Sequence, residues 1–130
     1  MGSTNFIAMK VIFTLGLLLM VAGSVSAQKA YDAAYYHSKT GNRTLKLELG
    51  MGYFAASNIK RAIGSARPIT FYPDTAVPDD QYQMTFHARA QPDYFILDDM
   101  QESYDTAPPV ITGRYWSGKK WSAIKFVLGR

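Results

Sequence analysis

Two tryptophans near the end of the chain carry the side chains best suited to ligand chemistry. Trp116 and Trp121 are the only tryptophans among the 130 residues, and basic side chains surround them. Indole faces stack against sugar rings or rest at a membrane interface, and neighbouring cations attract anionic groups. The candidate ligand-binding residues are therefore Trp116, Trp121, Arg114, Lys120 and Lys125.

Alternation places these residues on one face of a predicted C-terminal hairpin. A turn at Gly118-Lys119, or over residues 117–120, sets Trp116 opposite Trp121 and Gly113 opposite Ile124. The apolar face then carries Ile111, Gly113, Tyr115, Ile124, Phe126 and Leu128, and the mixed face carries Thr112, Arg114, Trp116, Trp121, Ala123, Lys125 and Val127. Two alternatives stay open: the tryptophan pair stabilises the hairpin by packing alone, or the mixed face lines a barrel cavity.

The two histidines, His37 and His87, are the candidates for acid–base or metal chemistry. The chain has no His-Glu-x-x-His pattern and no cysteine, so no metal ligand set and no cofactor is predicted. His87 falls on the polar side of its strand and is expected to face solvent. A small hydrolase that uses a histidine with nearby carboxylates is the least favoured function.

Two short motifs match those of serine penicillin-binding enzymes: Ser57-Asn-Ile-Lys60 and Lys39-Thr40-Gly41. Their order along the chain is reversed, the Ser-Asp-Asn element is missing, and the chain is too short for the two-part fold of those enzymes. We therefore predict no catalytic residues and a protein that is not an enzyme.

A run of carboxylates precedes the basic hairpin. It consists of Asp93, Asp98, Asp99, Glu102 and Asp105, with no Lys or Arg between Arg89 and Arg114. Such oxygen ligands suit a hard cation, but the Asp-x-Asp-x-Asp-Gly spacing of a calcium loop is absent. A solvated loop is the expectation.

The apolar pattern has the period of two that a half-buried strand requires. It is clearest where Leu45, Leu47 and Leu49 alternate with Lys46 and Glu48. Strands are predicted at 31–38, 45–53, 68–72, 82–88, 94–97, 110–117 and 121–128. About seven short strands with turns between them favour an all-β, mainly antiparallel fold, either a small barrel or a sandwich.

One short helix is predicted near residues 57–63. Ile59, Ala62 and Ile63 would share its apolar face, with Ser57 as N-cap and Gly64 as its end.

The segment Thr112-Gly113-Arg114-Tyr115 resembles a strand of the avidin-type barrels. The chain is also similar in length and strand count to small exported barrels of the lipocalin-like group. This resemblance implies a barrel, whereas the ligand residues of those families have no recognisable counterpart in this sequence.

The N-terminal residues resemble a cleavable export signal of bacterial layout. Met9-Lys10 gives a basic start, and the apolar run from Val11 to Ala22 is shorter than the roughly 20 residues that span a bilayer. Small residues at Val25 and Ala27 predict cleavage before Gln28. We expect a signal peptide at 1–27, with Met9 as an alternative translation start, and one domain at 28–130. An uncleaved signal anchor is the alternative.

Export limits the partners. The remaining chain carries a net charge of +3 and no cysteine, so its stability must come from burial rather than disulfides. Nucleic acid is unexpected outside the cytosol. We predict a periplasmic or secreted, non-enzymatic binding domain, with no transmembrane span after cleavage, whose partner is an envelope polysaccharide, a lipid or another exported protein. The alternative is a structural envelope protein or a protein inhibitor in which the tryptophan pair is architectural.

Overall fold

Strands whose side chains point alternately into the core and outward build the wall of the fold. In the computed structural model, which describes residues 32–129, eight antiparallel strands form one closed barrel. The strands are β1 (Ala33–Thr40), β2 (Arg43–Gly50), β3 (Asn58–Ile63), β4 (Ile69–Pro73), β5 (Met84–His87), β6 (Tyr94–Leu97), β7 (Val110–Trp116) and β8 (Trp121–Leu128). The predicted all-β barrel is confirmed, and the predicted export signal lies outside the described residues.

The strands follow one another around the barrel in chain order. Each strand pairs with the next, and β8 closes the barrel against β1 through the pair His37 and Val127. Closure leaves no exposed sheet edge, which is the feature that distinguishes a barrel from the sandwich that the sequence also allowed.

The barrel interior is filled by side chains from the inward positions of each strand. Leu45, Leu47 and Leu49 of β2 are buried, while Lys46 between them is exposed. Rings occupy much of the remaining interior: the centroids of Phe71 and Phe95 lie 4.9 Å apart in an edge-to-face contact. The core residues are Ala34, Tyr36, Leu45, Leu47, Leu49, Phe54, Ile59, Phe71, Met84, Phe86, Phe95, Leu97, Met100, Ile111, Tyr115, Ile124 and Phe126.

Residues 57–63 are not helical. Asn58–Ile63 is β3, hydrogen-bonded to β2 on one side and β4 on the other, and the only helical turn among the described residues is a 3-10 turn at Phe54–Ala56. Ser57 follows that turn, and its Oγ accepts a hydrogen bond from the Gly50 amide at 2.9 Å. The prediction failed because Ile59 and the charged Arg61 are the residues that β3 buries, and a buried arginine hides the strand alternation.

Within residues 32–129, no helix is both long enough and apolar enough to cross a membrane.

Candidate functional site

The C-terminal hairpin has the predicted register. Trp116 pairs with Trp121, Tyr115 with Ser122 and Gly113 with Ile124. The inner face is the predicted apolar one, and the mixed face is turned outward, so it does not line the barrel interior. Trp121 is 44% exposed, whereas Trp116 is half-buried.

The register of the neighbouring strands continues this pair into a row of five rings. Trp116 pairs with Tyr94 of β6, Tyr94 with His87 of β5, and His87 with Tyr72 of β4. All five side chains are on the outside of the barrel, because the residues beside them in each strand point into the core. We call Tyr72, His87, Tyr94, Trp116 and Trp121 the outer aromatic row.

Direct ring contacts join most of the outer aromatic row. The centroids of Trp116 and Trp121 are 5.2 Å apart, and Trp121 meets Tyr94 edge-to-face at 5.5 Å. Tyr94 in turn stacks on His87 at 4.8 Å. Tyr72 is 60% exposed at the β4 end of the row. Contacts at these spacings fix the rings relative to one another, and a fixed row of rings can bind an extended ligand that follows the curved wall of the barrel.

The structure brings one of the three predicted cations onto the tryptophans. The Cζ atom of Arg114 lies 5.3 Å from the ring centroid of Trp121, a cation–π contact. Lys125 is exposed on the same outer face, opposite Thr112. Lys120 lies in the turn, where its backbone N–H donates to Ser117 Oγ at 3.2 Å. Arg114 therefore contacts the row directly, whereas Lys120 lies in the turn next to Trp121 and Lys125 lies four residues from Trp121 along β8.

His87 has a carboxylate partner outside the predicted acidic run. Its Nδ1 lies 2.8 Å from Asp74 Oδ1 and donates to it in the Nδ1–H tautomer. Both side chains are nearly half exposed, at 46% and 42%. The pair lies on the open outer surface, where Asp74 orients the imidazole against Tyr94. The other histidine, His37, is also exposed, on β1.

Asp93 is not part of a solvated loop, contrary to the sequence-based expectation. It is buried at one end of the barrel, where its Oδ2 accepts hydrogen bonds from the Arg61 guanidinium and, at 2.6 Å, from the Tyr115 hydroxyl. The guanidinium of Arg43 lies 4.4 Å above the ring of Tyr115. A charged group of this kind is buried only with a partner, so this interior polar cluster (Arg43, Arg61, Asp93 and Tyr115) ties β2, β3, β7 and the start of β6 together.

The interior polar cluster also changes the acidity of a core tyrosine. Burial, and then the hydrogen bond to Asp93, raise the pKa of Tyr115. Three buried atoms of the cluster have no hydrogen-bond partner among the described residues: Arg43 Nε, Arg61 Nε and Asp93 Oδ1. The interior polar cluster therefore contains a buried, hydrogen-bonded ion pair together with buried polar atoms that lack a hydrogen-bond partner.

The rest of the acidic run forms no metal site in the part of the chain that the structure describes, where no group of three His, Cys, Asp or Glu residues could hold an ion. Asp98 accepts a hydrogen bond from Gln83 Nε2 at 3.0 Å. Glu102, with Asp79 and Asp80, lines an open acidic groove of about 460 Å³ at the other end of the barrel.

Sequence reasoning missed three members of the outer aromatic row, namely Tyr72, His87 and Tyr94. Alternation alone placed His87 outward and would have done the same for Tyr72 and Tyr94. Their position beside Trp116 was hidden, because it depends on register across the longer loops between β4, β5, β6 and β7.

No family model, curated protein or solved structure matches this chain. Its function is therefore inferred from the geometry of the barrel and of its outer face.

Proposed function

We propose that the protein is an exported, non-enzymatic binding domain that holds an anionic polysaccharide of the bacterial cell envelope on its outer aromatic row. The observation that carries this proposal is the unbroken pairing of Tyr72, His87, Tyr94, Trp116 and Trp121 across five adjacent strands.

The length of the row favours an extended ligand. Neighbouring strands are about 4.8 Å apart, so a row from β4 to β8 follows the curved barrel wall for roughly 19 Å. Sugar rings offer apolar faces that stack on indole and phenol rings, and a polymer can use several of these faces at once. A single small molecule would cover only part of the row.

The packed interior supports an outer site. The lipocalin-like barrels that the chain resembles are able to hold a ligand inside the barrel. Here Phe71, Phe86, Phe95 and Phe126 are fully buried in the barrel interior. We therefore place the ligand on the outside, and extend the lipocalin-like resemblance to the fold only.

The basic side chains near the row favour a negatively charged ligand. Arg114 contacts the row at Trp121, Lys120 follows in the adjoining turn, and Lys125 lies farther along the hairpin on the same outer face. No carboxylate lies on the hairpin, because the chain has no Asp or Glu after Asp105. The carboxylate of Asp74, near the β4 end of the row, is paired with His87. Carboxylated or phosphorylated sugars would gain from these cations.

A competing function has an observation of its own. Ring contacts run from Trp116 to Trp121, from Trp121 to Tyr94 and from Tyr94 to His87, and Trp116 and Tyr94 are only partly exposed. A structural envelope protein or a protein inhibitor would use these contacts simply to stiffen the barrel wall. In that case the fluorescence of Trp121 would not change when a sugar is added.

Intrinsic fluorescence separates the two functions, because both indoles of the protein lie in the row. The purified protein is titrated with peptidoglycan fragments, alginate oligosaccharides, neutral maltooligosaccharides, fatty acids and anionic vesicles. The proposal expects a saturable change with an anionic glycan and a weaker one with the neutral sugar. A change with vesicles or fatty acids alone would replace the polysaccharide with a lipid, and no change with any probe would favour the architectural role.

A further inference from the structure

A second surface, formed by β1, β2 and β3, brings two lysines side by side. The register sets Lys46 of β2 directly opposite Lys60 of β3, and His37 of β1 on the other side of Lys46. All three side chains are exposed. Like charges directly opposite in a sheet are destabilising by roughly 0.2–1 kcal/mol. An arrangement with this cost calls for a role other than folding.

Glu48 lies on the same surface but forms no ion pair with either lysine; its carboxylate accepts a hydrogen bond from Asn58 Nδ2 at 3.0 Å. Among residues 32–129, the ion pairs are those of Arg61 with Asp93 and of His87 with Asp74. Lys46 and Lys60 thus keep their ammonium groups available to an outside anion.

The same residues line a groove large enough for a ligand. It has a volume of about 420 Å³ and is lined by Tyr35, Tyr36, His37, Lys46, Leu47, Glu48, Asn58, Lys60 and Gly129. We call it the lysine groove. An added Cβ at Gly129 would lie 3.5 Å from His37 Nδ1 and 3.3 Å from the Tyr35 carbonyl oxygen. The absence of a side chain at Gly129 therefore keeps the imidazole edge of the groove open.

We propose that the lysine groove binds a phosphate group, with Lys46 and Lys60 as its charge partners and His37 as a hydrogen-bonding neighbour. Lysine ammoniums act as point charges on phosphate, and an imidazole nitrogen can donate to a phosphate oxygen. The phosphate could belong to a soluble phosphate ester or to a phospholipid headgroup, and both present the same oxygens. This site is independent of the outer aromatic row, since it shares no residue with it.

The test measures binding to the purified protein at low salt. Its probes are inorganic phosphate, glycerol 3-phosphate, and vesicles of phosphatidylglycerol compared with phosphatidylcholine. The site variant is Lys46→Gln with Lys60→Gln, and the matched control is Arg67→Gln with Lys119→Gln, two exposed cations outside both the lysine groove and the outer aromatic row. Calorimetry with the soluble probes and co-sedimentation with the vesicles identify the source of the phosphate.

We expect the site variant to bind the phosphate probe about tenfold or more weakly than the unmodified protein. The control pair should weaken this binding by less than about threefold. The site variant should also unfold at a slightly higher urea concentration without ligand, because the like-charge pair is gone; this shows that it folds. Equal loss in both variants, or no saturable binding of any phosphate probe, would overturn the proposal. Neither result bears on the indole fluorescence that tests the outer aromatic row.

Discussion

Trp116 lies directly opposite Trp121 across the β7–β8 hairpin, with the two ring centroids 5.2 Å apart and the ring planes at 50°. The two rings differ in exposure. Trp116 is half-buried between its neighbours, whereas Trp121 is 44% exposed and carries the guanidinium of Arg114. Trp116 therefore anchors the outer aromatic row, and Trp121 presents the face that a ligand can reach.

That difference in exposure predicts different stability costs for the two tryptophans. Trp121→Ala should lower the free energy of unfolding by about 1 kcal/mol, the value of an exposed aromatic pair. Trp116→Ala should cost roughly 2 kcal/mol, because more of its surface is buried. Urea denaturation followed by far-UV circular dichroism measures both, since each variant loses one of the two fluorophores. Equal losses of unfolding free energy in the two variants would contradict the assignment of Trp116 as the buried anchor and Trp121 as the exposed ring.

The buried pair of Arg61 and Asp93 should dominate the stability of its end of the barrel. Asp93→Asn leaves the Arg61 charge without a counter-charge in the interior, which costs roughly 3–5 kcal/mol. It also replaces the carboxylate oxygen that accepts from the Tyr115 hydroxyl. A fall in the urea midpoint of this size checks the prediction.

A double-mutant cycle isolates the pair. The combination Arg61→Met with Asp93→Leu removes both charges together, so we expect it to be more stable than the single variant Asp93→Leu. Strict additivity of the two single effects would mean that the ion pair does not couple them.

Alkaline pH should destabilise the barrel through Tyr36. Burial and the neighbouring Tyr104 raise the pKa of Tyr36 from 10.0 to about 12, and its hydroxyl donates to the Pro108 carbonyl at 2.7 Å. Because the pKa of Tyr36 is higher in the folded than in the unfolded state, its neutral hydroxyl contributes its full stabilisation below pH 10. This contribution is lost as the pH rises to about 12. The loss should be on the order of 1–3 kcal/mol.

Urea midpoints between pH 8 and pH 12 measure this loss. The matched variant Tyr36→Phe lacks the ionisable hydroxyl, so its stability should decline less steeply over the same range. Burial also raises the pKa values of Tyr104 and Tyr115, which leaves a smaller decline in the variant. Identical slopes for the two proteins would contradict the assignment to Tyr36.

Close packing of β6 on β7 predicts a strict requirement for glycine at position 113. An added Cβ at Gly113 would clash with the Ile96 carbonyl oxygen and touch Leu97. Gly113→Ala should therefore cost about 1–3 kcal/mol, the usual penalty of overpacking. Gly41→Ala is the contrast, because its site is open and only its positive φ of +60° is unfavourable; its cost should be about 1 kcal/mol. Thermal unfolding of the two variants ranks them.

Most strands and the C-terminal hairpin were predictable from the sequence, whereas the pairing of distant strands was not. The register of Trp116 with Trp121 was predictable, because a tight hairpin turn fixes which residues face each other. The placement of Tyr94 and Tyr72 in the same row was not, since loops such as residues 74–83 and 98–109 set those registers.

The prediction of a helix at residues 57–63 failed for a related reason. Arg61 was not among the residues expected to be buried, and its partner Asp93 lies 32 residues further along the chain. Asp93 in turn looked like a member of a solvated acidic loop. Each residue is buried only because the other is there, and a pairing at that separation leaves no local pattern in either segment.

The most direct test of the outer aromatic row uses the two indole N–H signals of the protein. In ¹H–¹⁵N spectra of the purified protein, titration with alginate oligosaccharides or soluble peptidoglycan fragments should shift both indole signals saturably. The variant Trp121→Ala should abolish this binding. The control Tyr82→Asn, at an exposed tyrosine outside the row, should preserve it. Indole signals that stay in place while either glycan binds, or the absence of binding by both, would contradict the proposed function.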